Sequence, residues 1–252
     1  MSLIADLLER IEGRDILDVA CGQGDLTRLL ARHIRGVRSV LGIDPDKDSI
    51  DQARRDTDDR RIRYRLVSLE EFSVTFKQYD VVSIGHAIHH LPDPRRAIEM
   101  MLGLLKPGGW FVLREPVCDG LSLAQQNARD VHHIKAEIDT LRGRSHRPTV
   151  TRERLDSLVA SLGLSELLTV FENEAAAEAA GAEGTAPPDS PLAADRVSRA
   201  ADYLDDYLQY VPDSDRRRLS DSIAALKRRI ALNGVAPVTV VLKAGRKDRQ
   251  AG

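Results

Sequence analysis

The chain has 252 residues, enough for one large α/β domain with an elaboration, or a domain with a small cap. Hydrophobic residues make up 42% and charged residues 30%, the balance of an ordinary soluble protein, and the formal net charge is −2. That charge argues against strong nonspecific attraction to nucleic acid or an anionic membrane, and no apolar run approaches the ~20 residues of a membrane span. 

Two cysteines far apart, Cys21 and Cys118, imply no disulfide framework and a reduced, cytoplasmic setting. The opening Met1-Ser2-Leu3-Ile4-Ala5-Asp6 lacks a basic region followed by a long apolar run, so no signal peptide is expected. Leu3, Ile4, Leu7, Leu8 and Ile11 lie at helical spacing, and Gly13-Arg14-Asp15 breaks that helix. Ile16-Leu17-Asp18-Val19 is a buried strand that runs into Ala20-Cys21-Gly22-Gln23-Gly24, and Leu26, Leu29, Leu30 and Ile34 then form a helical face. Strand, glycine turn and helix in that order form a place where α/β folds bind a cofactor at the carboxyl ends of their strands.

Ser39-Val40-Leu41-Gly42-Ile43-Asp44 is a second strand. Its terminal Asp44 is placed to accept hydrogen bonds from ribose hydroxyls, while Asp48 suits the N-cap of a helix over 49–56. Residues 62–67 alternate apolar and polar, as on a strand near a sheet edge, and Asp80-Val81-Val82-Ser83-Ile84 is a continuous apolar strand ending at Gly85-His86. After His89-His90-Leu91-Pro92 comes a helix over 95–105. Lys106-Pro107-Gly108-Gly109 reads as a turn, and Trp110-Phe111-Val112-Leu113 as a fifth strand ending at Arg114-Glu115. Alternating strands and helices predict a parallel sheet covered on both faces.

The pattern then changes. Residues 121–141 read as one long helix, 142–148 as a basic loop, 151–162 as a helix capped by Thr151, and 164–172 as a sixth strand. Residues 173–191 have the composition of a linker, 192–211 and 213–232 read as two helices, and 237–244 as a last strand.

Four of these stretches resemble motifs of the class I S-adenosylmethionine-dependent methyltransferases. Asp18–Gly24 is similar to their first motif, Gly42-Ile43-Asp44 to their second-strand acid, Tyr79–Asp93 to their fourth-strand motif, and 105–112 to their turn into the fifth strand. A dinucleotide fingerprint fits less well, because its third glycine position is Thr27. The resemblance implies a Rossmann-like, doubly wound, mostly parallel seven-stranded sheet with an antiparallel last strand and helical lid insertions. The division it suggests is a cofactor-binding core over 1–117, a helical lid insert over 118–148, core again over 149–172, a linker over 173–191, a helical insert over 192–233, and the last strand and tail over 234–252.

It also implies S-adenosyl-L-methionine as cofactor. Asp18, Cys21, Gly22, Gln23 and Gly24 would bracket its methionine part, Asp44 would hold the ribose and Pro45 would pack by the adenine. Ser68, Leu69 and Glu70 would sit beside that ring, and Gly85 and His86 near the sulfonium. The catalytic candidates are His86, as base or substrate contact, Glu115 on the same sheet edge, and His133 on the long helix. Gln126, Asp130, His133 and Glu137 form one polar stripe there. With His146 they could hold a metal or an acid–base constellation; a solvated face is the plainer reading, and no metal ligand is assigned. The expected activity is methyl transfer to O, N or C of a small-molecule metabolite, with no nucleic-acid or membrane partner. An RNA or protein methyltransferase and a non-methylating S-adenosylmethionine-binding protein are the alternatives.

Overall fold

The computed structural model describes residues 2–74, 78–173 and 201–248. The expected linker over 173–191, the start of the helix over 192–211 and residues 249–252 of the tail lie, apart from Asn173, outside the described residues. The frame is a seven-stranded sheet built from β1 (Asp15–Val19), β2 (Ser39–Asp44), β3 (Ile62–Leu66), β4 (Tyr79–Gly85), β5 (Leu105–Pro116), β6 (Ser165–Asn173) and β7 (Thr239–Arg246), in the order β3-β2-β1-β4-β5-β7-β6. Strands β1 to β5 run parallel, and β7 inserts antiparallel to both β5 and β6. The burial follows the order: every residue of the central β1 is buried, whereas the edge strand β3 alternates toward exposure.

Helices cover both faces. They are α1 (Leu3–Leu8), α2 (Asp25–His33), α3 (Lys47–Arg55), α4 (Leu69–Ser73), α5 (Pro94–Gly103), α6 (Leu123–Leu141), α7 (Arg152–Ala160) and α8 (Asp213–Asn233), with helical residues at 201–207 before α8. One apolar cluster lies on each side of the sheet, around Val82, Ile84 and Phe111 on one and Ile16, Leu30 and Val81 on the other. A third joins Val131 and Ile138 of α6 to Leu204 and to Leu219, Ile223 and Leu226 of α8. Glu172 of β6 receives the Ser2 hydroxyl (2.6 Å) and the first N–H groups of α1, which closes one sheet edge with a charge at a helix N-terminus.

Two local expectations change. Asp46, not Asp48, caps α3, because its carboxylate accepts from the N–H of Ser49 at 2.8 Å. The turn at 106–109 is a bulge inside β5. Tyr79 pairs with Leu105 and Val81 already with Trp110, while Gly108, at φ 78°, and Gly109 bond to Lys247.

Candidate active site

β1 leaves the sheet into Ala20-Cys21-Gly22-Gln23-Gly24, and α2 begins at Asp25. Gly22 and Gly24 have φ of 52° and 86°, backbone that L side chains rarely adopt. They differ in surroundings. A methyl at Gly24 would overlap the Tyr64 hydroxyl, whereas nothing lies within 4 Å of where one at Gly22 would sit. Asp44 ties the turn to β2: its Oδ2 accepts from Gly22 N–H at 2.9 Å and its Oδ1 from Asp46 N–H at 2.8 Å.

Beside the turn is a cavity of ≈ 220 Å³, to which β1, β4 and β5 each contribute the end of a strand. Of the predicted residues, Asp18, Cys21, Gly22, Gln23, Gly85 and His86 line it, and Gly24, Asp44, Pro45, Ser68, Leu69 and Glu70 do not. Ala20, Asp25, Leu26 and Arg114 line it without having been singled out.

The walls carry opposite charges. Asp18 is fully buried and accepts from the hydroxyls of Thr27 (2.6 Å) and Ser83 (2.7 Å). Burial lifts its carboxyl to about 6 against those two bonds. Arg114 is buried too, and among the described residues its Nε and Nη2 find no acceptor. A buried guanidinium with free donors is costly unless an occupant satisfies it. His86, at φ 53°, is held neutral by burial first and then by the charge of Arg114. Burial also pushes the Cys21 thiol up, so it is no ready nucleophile.

On the far side of Asp44, Ser68 caps α4 in a box with Glu71, so its hydroxyl is engaged in the helix start. Leu69 is buried, and Pro45 and Glu70 are exposed.

The other two catalytic candidates do not line this cavity. Glu115 is 1% exposed; its Oε1 accepts from Ala87 and Ile88 N–H, both at 2.8 Å, and its Oε2 lies 2.9 Å from Nδ1 of His89. It therefore anchors the short helical turn Ile88–His90. His133, expected to approach the substrate, is not on the cavity beside the glycine turn. Its Nε2 accepts from Thr149 N–H and meets the Thr149 hydroxyl at 2.9 Å. The polar stripe around it faces α8, where Asp130 pairs with Arg229 (2.7 Å) and Glu137 with Arg218 (2.5 Å). Between α6 and α8 lies a larger cavity of ≈ 760 Å³, lined among others by His133, Ile134, Leu141, His146 and Pro148.

The opposite flank of α6 carries what the stripe argument missed. His132 meets His89 and His146, and one ring nitrogen of each lies within 4.8 Å of the others. His90 stacks against the group, its ring centroid 4.1 Å from that of His146. Burial first, then neighbouring imidazoles, hold His132 down at about 2 and His90 at about 3. The loop that brings His146 is pinned: Arg147 N–H donates to the His89 carbonyl at 2.8 Å, and the Thr140 hydroxyl to the His146 carbonyl at 2.7 Å. The signal in the chain was the doubled His89-His90 and His132-His133, which with His146 hold five of its seven histidines.

A family model described as a methyltransferase domain matches residues 17–113. The ubiquinone biosynthesis O-methyltransferase of Bordetella avium (strain 197N) is 34% identical over 110 residues, 42% of this chain and 44% of that protein. The protein of the same name from Hydrogenovibrio crunogenus is 36% identical over 105 residues, 40% of this chain and 42% of that one. The chain thus spans less than half the length of these curated relatives. A cyclopropane-fatty-acyl-phospholipid synthase-like protein from Lactobacillus casei superposes with a TM-score of 0.68 at 15% identity, covering 96% of this chain and 88% of that one. The Haemonchus contortus phospholethanolamine N-methyltransferase 2, solved with phosphomonomethylethanolamine and S-adenosylhomocysteine, gives 0.51 at 16% identity, with 95% and 50% covered. At such identities the likeness shows the fold alone. Residues 17–113 therefore match a methyltransferase-domain model, and the seven-stranded sheet that completes them has the Rossmann-like order of that fold.

Proposed function

We propose that this chain binds S-adenosylmethionine at the glycine turn and transfers its methyl group to O, N or C of a small molecule. The observation that carries the reading is the charge pair in the cavity beside that turn. An ionised Asp18 and a donor-rich Arg114 face one small space, the complement of a zwitterionic amino acid end. Arg114 takes the α-carboxylate, Asp18 attracts the α-ammonium, and Asp44, already holding Gly22, offers its remaining lone pairs to the ribose. The cofactor supplies an electrophilic methyl on a sulfonium.

The chain then has to place the acceptor atom in line and keep water out, and proximity can supply much of the acceleration. His86 is a neutral wall at the end of β4 and can accept a proton only weakly. Glu115 works through His89 and the turn that follows β4, as a positioning residue. The acceptor is taken to be a small molecule because the matched relatives are named for ubiquinone biosynthesis, and because the cavity between α6 and α8 has the size of a small-molecule site.

Calorimetric titration with S-adenosylhomocysteine tests the cofactor half. Wild type should bind and Asp44→Ala should lose affinity while its circular dichroism is retained; equal affinity would refute the ribose assignment. Incubation with labelled S-adenosylmethionine and hydroxylated or amino small molecules tests the transfer. Cofactor binding without labelled product from any acceptor class would favour a non-methylating binding protein.

A further inference from the structure

We propose that His89, His132 and His146 form a binding site for one divalent transition-metal ion of the zinc class, built where the turn after β4, the helix α6 and the loop before α7 meet. The methyl-transfer reading uses Glu115 and His89 only to anchor the turn after β4 and needs no metal ion there.

The first observation is convergence. Three separate segments, the turn after β4, α6 and the loop that follows α6, bring one imidazole nitrogen each to within 4.8 Å of the other two. Nε2 of His132 and Nε2 of His146 are 3.3 Å apart. Two nitrogens each about 2.0–2.1 Å from one tetrahedral ion take about that separation. The ring nitrogen of His89 lies within 4.8 Å of both and has to close on the ion.

The second observation is the layer behind the imidazoles. Nδ1 of His89 faces Oε2 of Glu115 at 2.9 Å, and Nδ1 of His146 faces Oδ2 of Asp139 at 2.8 Å. A carboxylate accepting from Nδ1–H fixes the tautomer, so that Nε2 is left as a lone pair on both rings. This is the carboxylate–histidine–metal arrangement that orients ligands and raises their basicity. Both carboxylates are themselves fixed, Glu115 by two backbone N–H groups and Asp139 by Lys135 Nζ at 2.7 Å. A hydrogen bond from His132 to His146 would satisfy one of those lone pairs; an ion satisfies all three rings at once.

The donor set selects the metal. Three neutral imidazoles suit zinc, copper, nickel or cobalt, and are poor partners for calcium or magnesium, which take oxygen ligands. Three protein ligands leave a fourth position open, the pattern of sites that engage a water or a ligand rather than closed structural ones. His89 and His146 are buried while His132 is half-buried, so solvent reaches the ion from the α6 side. His146 also lines the ≈ 760 Å³ cavity between α6 and α8. Water is the fourth ligand that such a solvent-facing position takes.

The test uses the full chain after chelator treatment, with zinc(II) followed by calorimetry and cobalt(II) by its visible absorption. The expected result is one ion per chain and the strong absorption of four-coordinate cobalt. His132→Ala, at the half-buried ligand, should weaken zinc by about 100-fold or more and abolish the cobalt band. Glu115→Gln should weaken zinc by about 10- to 100-fold and shift the cobalt band, a change that anchoring the turn alone would not produce. His90→Ala, which removes a neighbouring ring outside the ligand set, should leave both readouts as in wild type. Folded protein that binds neither ion, or binds zinc equally well as His132→Ala, overturns the site. Loss in His90→Ala equal to that in His132→Ala overturns the ligand assignment. Calorimetry with S-adenosylhomocysteine on the same samples separates the two readings: a chain that binds that ligand but no metal ends this proposal and leaves the cofactor reading standing.

Discussion

Arg114 and Asp18 set the chemistry of the cavity one residue at a time. A charge-assisted hydrogen bond from a buried guanidinium is worth about 1.5–3 kcal/mol, which corresponds to roughly 10- to 100-fold in affinity. Arg114→Met should therefore weaken S-adenosylhomocysteine by about that factor. 5′-Methylthioadenosine lacks the amino acid end and should bind the variant as it binds wild type; equal losses for both ligands would show that Arg114 does not meet the carboxylate. Asp18 gives the pH dependence. In the unfolded chain it ionises near 3.8, but in the fold it keeps its proton to about 6. Ionisation thus works against the folded state, and stability falls as pH rises through that window, by about 3 kcal/mol in all. An ammonium ligand prefers the ionised form, so affinity moves the other way. S-adenosylhomocysteine should weaken toward about tenfold per pH unit below about 6, and Asp18→Asn should flatten that slope. Calorimetry between about pH 5 and about pH 7.5 on both proteins measures it, and a flat wild-type profile would remove Asp18 from the ammonium site.

At the scale of the element, the glycine turn separates two demands that look alike in the sequence. Gly24→Ala adds a left-handed backbone penalty of about 1–2 kcal/mol and an overlap with Tyr64, whose hydroxyl is tied to Thr57 at 3.1 Å. Gly22→Ala adds only the backbone penalty, but its methyl enters the open space over the turn. Chemical denaturation should show the larger loss for Gly24→Ala, and calorimetry the larger loss of S-adenosylhomocysteine affinity for Gly22→Ala among folded proteins. The strands, the turn and the tip of β2 were legible because each rests on local rules: apolar runs, turn chemistry, an acid at a strand end. Arg114 was not legible, because what marks it is two donors that find no acceptor among the described residues, which only packing reveals. Ser68 carries a second, structural role. Its capping box with Glu71, written in the sequence as Ser68-x-x-Glu71, is local, but the resemblance directed attention to the adenine. His132 was passed over because helical periodicity singled out the face that bridges to α8, and nothing in the sequence says that residues 89 and 146 approach the other.

For the whole molecule, the question is how far the helical layer and the sheet depend on one another. The two clusters flanking the sheet contain residues of β1, β2, β4 and β5, so they back the strand ends that carry the glycine turn and the cavity walls. The third cluster belongs to α6, residues 201–211 and α8, and the ion pairs across it are largely exposed and worth little. Its cohesion is therefore apolar. Leu219 is fully buried at its centre, and Leu219→Ala should cost about 2–5 kcal/mol through lost contacts and a residual cavity. If the layer opens as a unit, hydrogen exchange should lose protection through α6 and α8 while β1 and β4 keep theirs. S-adenosylhomocysteine affinity should then stay within about twofold of wild type, because no residue lining the cofactor cavity lies on α6 or α8. Loss of protection across β1 and β4 as well would mean that the layer and the sheet unfold together, and that the cavity beside the glycine turn draws its shape from helices it does not touch.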